Sequence, residues 1–379
     1  MIFKFGLFTA LFFAANALCS QKLFANELKW THFGLRPLGM GNAYVAVADD
    51  YNALFYNPAG LARLKTWSFE IINPQIGVSA NTVSTINDVT ALLNGGASDS
   101  SGKSSVQSAL EIFETLSGKP QYVNVGLTPH LVFPGFGFGI GTDIGGSLVV
   151  HRQISAEVDA GIEAIIPVSY AKNFLDDRLS IGATIKGVFK AGVEREFSLS
   201  DISAFTKSSS TTTSTDKKLK DYLINGKGVG ADLGMLFTPV KPMEPTLGVS
   251  ITDFGGTPLK ASSSEYGTPK PRDPTVNTGV SFKPYNEGKS YFLTAIDAHG
   301  INRPMHFSKK FNLGTEWGYG SVIKIQAGLH QGEFSGGLQL DAWLLVLRFA
   351  TYAEQLGPTA GEDKNFVDRR YIAQLKMLL

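Results

Sequence analysis

From Leu64 to the C-terminus the chain alternates apolar and polar side chains in long runs, the period of strands whose two faces meet different surroundings. In the run 178–198, Leu179, Ile181, Ala183, Ile185 and Phe189 share one face, and Ser180, Gly182, Thr184, Lys186 and Lys190 the other. Val229, Ala231, Leu233, Met235 and Phe237 likewise oppose Gly228, Gly230, Asp232 and Gly234, and the final run sets Tyr371, Ala373, Leu375, Met377 and Leu379 against Gln374 and Lys376. The pattern predicts fourteen strands with cores at 65–79, 120–132, 136–151, 155–172, 178–198, 227–239, 245–255, 274–284, 289–299, 305–318, 321–331, 333–341, 343–354 and 366–379. Such runs match the roughly nine to eleven residues a tilted strand needs to cross a bilayer, and exceed an average soluble strand. Long polar connections around 80–119, 199–226, 255–273 and 355–365 are set against tight turns at Pro134-Gly135, Asp176-Asp177, Lys241 to Glu244, Tyr285 to Gly288, Tyr319-Gly320 and Asp341-Ala342. An even strand count with long loops on one side predicts an all-β fold, a closed antiparallel transmembrane β-barrel with both termini on the short-turn side.

Four stretches leave this pattern. Lys4 precedes an apolar run from Phe5 to Ala15, too short and too early for a spanning helix, and predicts a signal peptide over residues 1–25. Cleavage after Ala17, Ser20 or Ala25 fits the small residues there, with Ala25 favoured because Leu23 and Ala25 then occupy the positions that signal peptidase inspects. Val106 to Leu116 and Asp216 to Asn225 have helical or amphipathic spacing inside long connections, and Ser208 to Ser214 is a Ser/Thr run of loop character.

Composition narrows the function. Cys19 is the one cysteine, and bulky Leu18 before it argues against lipidation, so the mature chain holds neither a disulfide nor a thiolate metal site. Thirty-four Lys and Arg stand against 33 Asp and Glu, without the basic excess of a nucleic-acid binder. Beyond the leader no apolar run reaches the length of a spanning helix, so a membrane crossing would be made by strands.

Between leader and strands, the small-residue run from Gly39 to Arg63 carries Asp49-Asp50 and Asn57-Pro58-Ala59. This stretch resembles the N-terminal hatch of the FadL/TodX family of outer-membrane hydrophobic-compound channels and related PorV-like barrels. The resemblance implies a hatch over 26–63 plugging the lumen of a barrel over 64–379, in the bacterial outer membrane. It implies passive uptake of hydrophobic or amphipathic compounds such as long-chain fatty acids, without a cofactor and without enzymatic activity. The implied partners are membrane lipid, a hydrophobic small-molecule substrate and, during biogenesis, the barrel assembly machinery, whose C-terminal signal the last strand resembles despite Leu379 in place of the commoner Phe. Relatives of this kind also include barrels of secretion systems, so a scaffold for surface or secretion partners is the alternative. Family members carry a kink in the third strand, and Gly145-Gly146 is the candidate for a comparable wall kink, or else for close packing against the hatch.

In the predicted register Lys186, Lys190 and Arg348 face the lumen and are candidate ligands for the carboxylate of an amphipathic substrate. Asp232 and Lys324 share that face, and Glu163 stands opposite Lys190, so a charge ladder supporting a polar lumen competes with ligand binding. Other motifs fail on context. Gly135, Gly137, Gly139 and Gly141 run into a strand rather than a helix, and Gly102-Lys103-Ser104 lacks its upstream glycine because position 97 is Ala97. His32, His130, His151, His299, His306 and His330 have no metal-ligand spacing, and no nucleophile is accompanied by a recognisable base and orienting acid.

Overall fold

The computed structural model describes residues 34–87, 111, 114–151, 155–198, 222–240, 243–263, 266–342, 344–356 and 367–377. The leader, the Ser208 to Ser214 run and Leu379 lie outside them, as does most of the two amphipathic loop stretches.

Fourteen strands close into one antiparallel barrel. They are β1 (Ser68–Glu70 and Gln75–Ser79), β2 (Gln121–Leu127 and His130–Phe133), β3 (Phe136–Gly139 and Gly141–His151), β4 (Ser155–Phe174), β5 (Leu179–Ser198), β6 (Ile224–Phe237), β7 (Thr246–Thr252), β8 (Thr275–Glu287), β9 (Ser290–Ala298), β10 (Phe311–Tyr319), β11 (Ile323–His330), β12 (Glu333–Asp341), β13 (Leu345–Gln355) and β14 (Val367–Met377). Each strand pairs with its sequence neighbours, and β14 pairs back onto β1 through Arg370 to Gln374 against Ser79 to Gln75. The predicted tenth strand starts too early. After Pro304 the chain makes a short 3-10 turn over Phe307–Lys309, capped by the His306 ring, and enters the ladder at Phe311.

The alternation read from the sequence is the inside and outside of this barrel. On β5, Ser180, Thr184 and Lys186 are buried while Ile181 and Ile185 are exposed, and on β6 Asp232 is buried beside exposed Val229 and Leu233. Around the outside the exposed side chains form an apolar band. Trp67, Phe133, Phe174, Tyr285, Trp317 and Tyr319 are exposed near its short-turn rim. A soluble protein rarely exposes a continuous apolar surface of this size, whereas bilayer hydrocarbon with aromatic girdles at its edges accounts for it.

The ladder of β8 against β9 shifts register at a bulge between Phe282 and Tyr285, and β1, β2 and β3 each break. The gaps fall at 71–74, 128–129 and 140, at one level toward the short-turn rim. Pro74 and Pro129 lie in two of them, and Pro167 on β4 falls opposite the third, between the pairs Gly141 with Ile165 and Phe138 with Val168. Proline has no amide hydrogen to give a ladder, so these residues write the interruption into the chain.

The barrel as described predicts a β-dominated circular dichroism spectrum in detergent and a change of gel mobility on boiling. A helix-dominated spectrum would contradict it.

Candidate functional site

Residues 34–63 lie inside the barrel. They form a short helix α1 (Leu35–Gly39) and two 3-10 turns, Tyr51–Leu54 and Pro58–Arg63, with Met40, Tyr44, Ala48, Leu54 and Leu61 in a core shared with Val132, Ala171, Leu293 and Ala295 of the wall. The segment folds this way because its polar residues close its own turns. Asp50 accepts the Asn52 amide at 2.9 Å, Asn57 accepts that of Ala59 at 3.2 Å, and Pro58 occupies the first helical position, where no amide is needed.

Asn57 does more than cap. Its Nδ2 lies 2.8 Å from Val45 O and 3.3 Å from both Met235 O on β6 and Val249 O on β7, so one side chain joins two parts of the segment to the wall. The wall beneath Asn57-Pro58-Ala59 is glycine. A Cβ built on Gly182 of β5 would lie 2.5 Å from Ala59 N, and one on Gly234 of β6 would collide with the Asn57 carboxamide. Close approach of two backbones requires this floor.

The charged anchor is Arg36. Its Nε and Nη2 donate to the two Glu316 carboxylate oxygens on β10 at 2.7 and 2.8 Å. Its Nη1 reaches Asp49 at 2.6 Å, Tyr44 Oη at 2.7 Å and Asp50 at 3.0 Å. Glu316, fully buried, also accepts from Tyr291 Oη at 2.7 Å and Gln326 Nε2 at 2.9 Å. Burial alone would raise the Asp49 carboxyl, but the charge of Arg36, with Lys283 and Lys324 further off, outweighs it and brings the pKa down to about 2. A second anchor is Asp297 on β9, whose Oδ2 accepts the backbone amides of Tyr44 and Val45 at 2.6 and 2.7 Å.

Sequence reasoning named Asp49, Asp50, Asn57, Pro58 and Ala59 and missed Arg36, Glu316 and Asp297. A signal for Glu316 was present. It alternates inward between Gly314 and Gly318 on β10, a lone charge on a face otherwise kept small.

The candidate lumen ligands Lys186, Lys190 and Arg348 are engaged. Lys186 Nζ lies 2.7 Å from Asp232 and 3.0 Å from Asp253, and Lys190 Nζ 2.7 Å from Glu194 and 3.7 Å from Asp159. Glu163 stands opposite Lys190 in the ladder, yet its ion pair is with Arg272. Arg348 donates to Gln374 at 2.8 Å and Gln339 at 3.2 Å, sits 3.6 Å from Glu70 and lies over the Tyr51 ring.

The candidate wall kink lies elsewhere than at Gly145-Gly146. Both glycines pair on either side without a break, with Asn124 and Val123 of β2 and with Gly161 and Ala160 of β4, whose backbones fill the space a side chain would need. The interruption of β3 is at Ile140. Side chains bridge the gap between the first two strands. Asn73 donates to Thr128 O at 2.7 Å and to Glu70 at 3.1 Å and accepts the Thr128 amide at 2.8 Å, while Glu70 meets Lys376 of β14 at 2.6 Å. His130 stacks on Tyr51 of the inner segment at 4.1 Å.

A closed barrel with an apolar outer face and its own N-terminal segment packed inside has the architecture of a transmembrane β-barrel rather than of a soluble sandwich. Solved hydrocarbon channels share it. The CymD monoaromatic hydrocarbon channel aligns with a TM-score of 0.52 at 12% identity, over 91% of this chain and 97% of that one. A deltaS2S3 mutant of the TodX monoaromatic hydrocarbon channel aligns with a TM-score of 0.53 at 11% identity, over 91% and 98%; TodX is a toluene transporter of Pseudomonas putida. The sequence matches no protein-family model and no curated protein, so the likeness is one of fold.

Breaking a buried pair by removing one partner costs about 3–5 kcal/mol. Arg36→Met should therefore loosen residues 34–63 and speed their proteolysis at pH 7 while the boiling-dependent gel shift persists, and Gly182→Val should do the same with every charge in place. Equal cleavage of parent and both variants would count against the anchors. Because the Asp49 pKa is depressed from 3.8, its contribution is complete above about pH 4 and is lost as the pH falls through about 2. Cleavage of the parent chain by an acid-active protease should accordingly stay flat from pH 6 to about 4 and rise below it.

Proposed function

We propose that this protein is a bacterial outer-membrane channel for passive diffusion of hydrophobic compounds, with residues 26–63 as the hatch that closes its lumen. The observation that carries this reading is the filled barrel: an apolar outer wall that suits lipid encloses a segment held by a few polar anchors on a glycine floor. A permanent structural core would be served by apolar packing alone. Anchors made of ion pairs and amide hydrogen bonds can be exchanged for water when the segment shifts. The fold shared with hydrocarbon channels supports the same reading, and no step of diffusion calls for a cofactor or for enzymatic chemistry. The rim that carries the Pro134-Gly135 and Asp176-Asp177 turns would face the periplasm and the rim with the long connections the cell exterior.

The charges bear on substrate class. Lys186, Lys190, Lys270 and Arg272 are met by Asp159, Glu163, Glu194, Asp232 and Asp253, four cations among five carboxylates. An incoming carboxylate would have to displace one already in place, and a charge-assisted hydrogen bond worth about 1.5–3 kcal/mol would be lost as another formed. An uncharged compound meets no such exchange. This favours neutral apolar substrates over the long-chain fatty acids named by resemblance.

Proteoliposomes holding the purified protein should take up a labelled long-chain alcohol faster than the matching carboxylate, and Lys186→Met should leave that ratio within about twofold. Faster entry of the carboxylate, abolished by Lys186→Met, would restore the headgroup role. Absence of uptake for both, with recovery of an outer-membrane partner in a pull-down, would favour the scaffold.

A further inference from the structure

The connection between β7 and β8 does not simply stand out from the rim. After a turn at Asp253 to Gly256 the chain rejoins the wall, with Lys260–Ala261 paired to Lys227 and Gly226 of β6. It then folds back over the inner face of β6. Asn225 N donates to Gly267 O at 3.1 Å and Gly267 N to Leu223 O at 2.9 Å. A Cβ built on Gly226, which shares the inward phase of Asp232, would lie 2.6 Å from Pro269 Cδ. From this position the segment hands its cations to the neighbouring strands β5 and β4. Arg272 pairs with Glu163 of β4 and lies 3.4 Å from Asp253, and Lys270 lies 3.5 Å from Glu194 of β5.

Apolar side chains line the lumen beside these contacts. Ile165 of β4, Val188 of β5 and Leu259 make an inward cluster, 2–5% exposed, with Phe55 of the inner segment packed against it. Leu259 reaches Val188 past Gly228, which offers no side chain between them.

We propose that residues 266–274 are a lid over this apolar patch, latched by Arg272 between Glu163 and Asp253, so that the mouth carries a second closure in series with the N-terminal segment. The meaning of the lid rests on the channel reading: opening would bare Ile165, Val188 and Leu259 as a landing site for an uncharged apolar molecule, adjacent to the segment that must move next. Ion pairs suit a latch of this kind. They hold the lid in one position while it is shut, and water replaces them when it swings out.

The test uses the full chain in detergent with Val188→Cys as a reporter, the native Cys19 lying in the predicted leader. Labelling by a water-soluble maleimide should be slow in the reporter protein. Adding Arg272→Met, which removes the latch, or Gly226→Val, which pushes Pro269 away and changes no charge, should each speed it at least tenfold, the boiling-dependent gel shift confirming that both variants are folded. Unchanged labelling in the two folded variants overturns the lid. Faster labelling in variants that carry no apolar compound into proteoliposomes keeps the lid and overturns the channel reading instead.

Discussion

A guanidinium keeps its charge in any protein, so burying one inside a barrel is tolerable only where carboxylates come to meet it. At Arg36 they come from two directions, Asp49 and Asp50 from its own segment and Glu316 from the wall. That convergence fixes the course of the segment, because the loop from 36 to 50 must return on itself for both aspartates to reach one side chain. Once the loop has returned, Tyr44 and Val45 are presented to Asp297 and Asn57 is brought over the glycines of β5 and β6. The interior of the barrel is thus organised outward from one cation.

The same logic makes the inner wall unusual. Polar residues that grip the segment and glycines that let it approach are interspersed with apolar side chains, Val132, Ala171, Leu293 and Ala295 among them, that share a core with it. A further apolar stretch of the inner wall, at Ile165 and Val188, is covered by Phe55 and by Leu259 of the β7–β8 connection. Barrel stability and lumen closure are in this way assigned to different residues. The hydrogen-bonded ladder and the apolar outer band hold the cylinder, and the polar contacts, together with the apolar core shared with the wall, hold its contents.

Much of the cylinder was legible in the sequence, because a bilayer outside and a polar lumen inside impose a two-residue period that no other environment produces over such lengths. The faces of β5, β6 and β14 follow directly from it. The tenth strand was misjudged at its start, where Pro304 and the His306 cap compete with the ladder in a stretch whose alternation alone looked continuous. The interior was less legible. Periodicity shows that Lys186 faces inward but not that Asp253, beyond the end of β7, comes within 3.0 Å of it. Glycine pairs drew attention to 145–146, yet glycine inside a ladder gives close packing, and it was the prolines, which withhold a donor, that marked the real break. The Asn-Pro-Ala motif does not by itself reveal the glycines of β5 and β6 on which it stands.

The separation in sequence between Arg36 and Glu316, 280 positions, has a consequence for how the molecule comes into being. The N-terminal segment emerges first from synthesis and export, but its anchors on β9 and β10 arrive only with the last third of the chain. Until then Arg36 has no wall carboxylate to bind, and the entropy of closing so long a loop opposes early docking. Biogenesis therefore has a fixed order, cylinder before contents, and a nascent chain halted before β10 would be an open sheet with a loose N-terminal tail, a species for quality-control proteases rather than a smaller version of the finished protein.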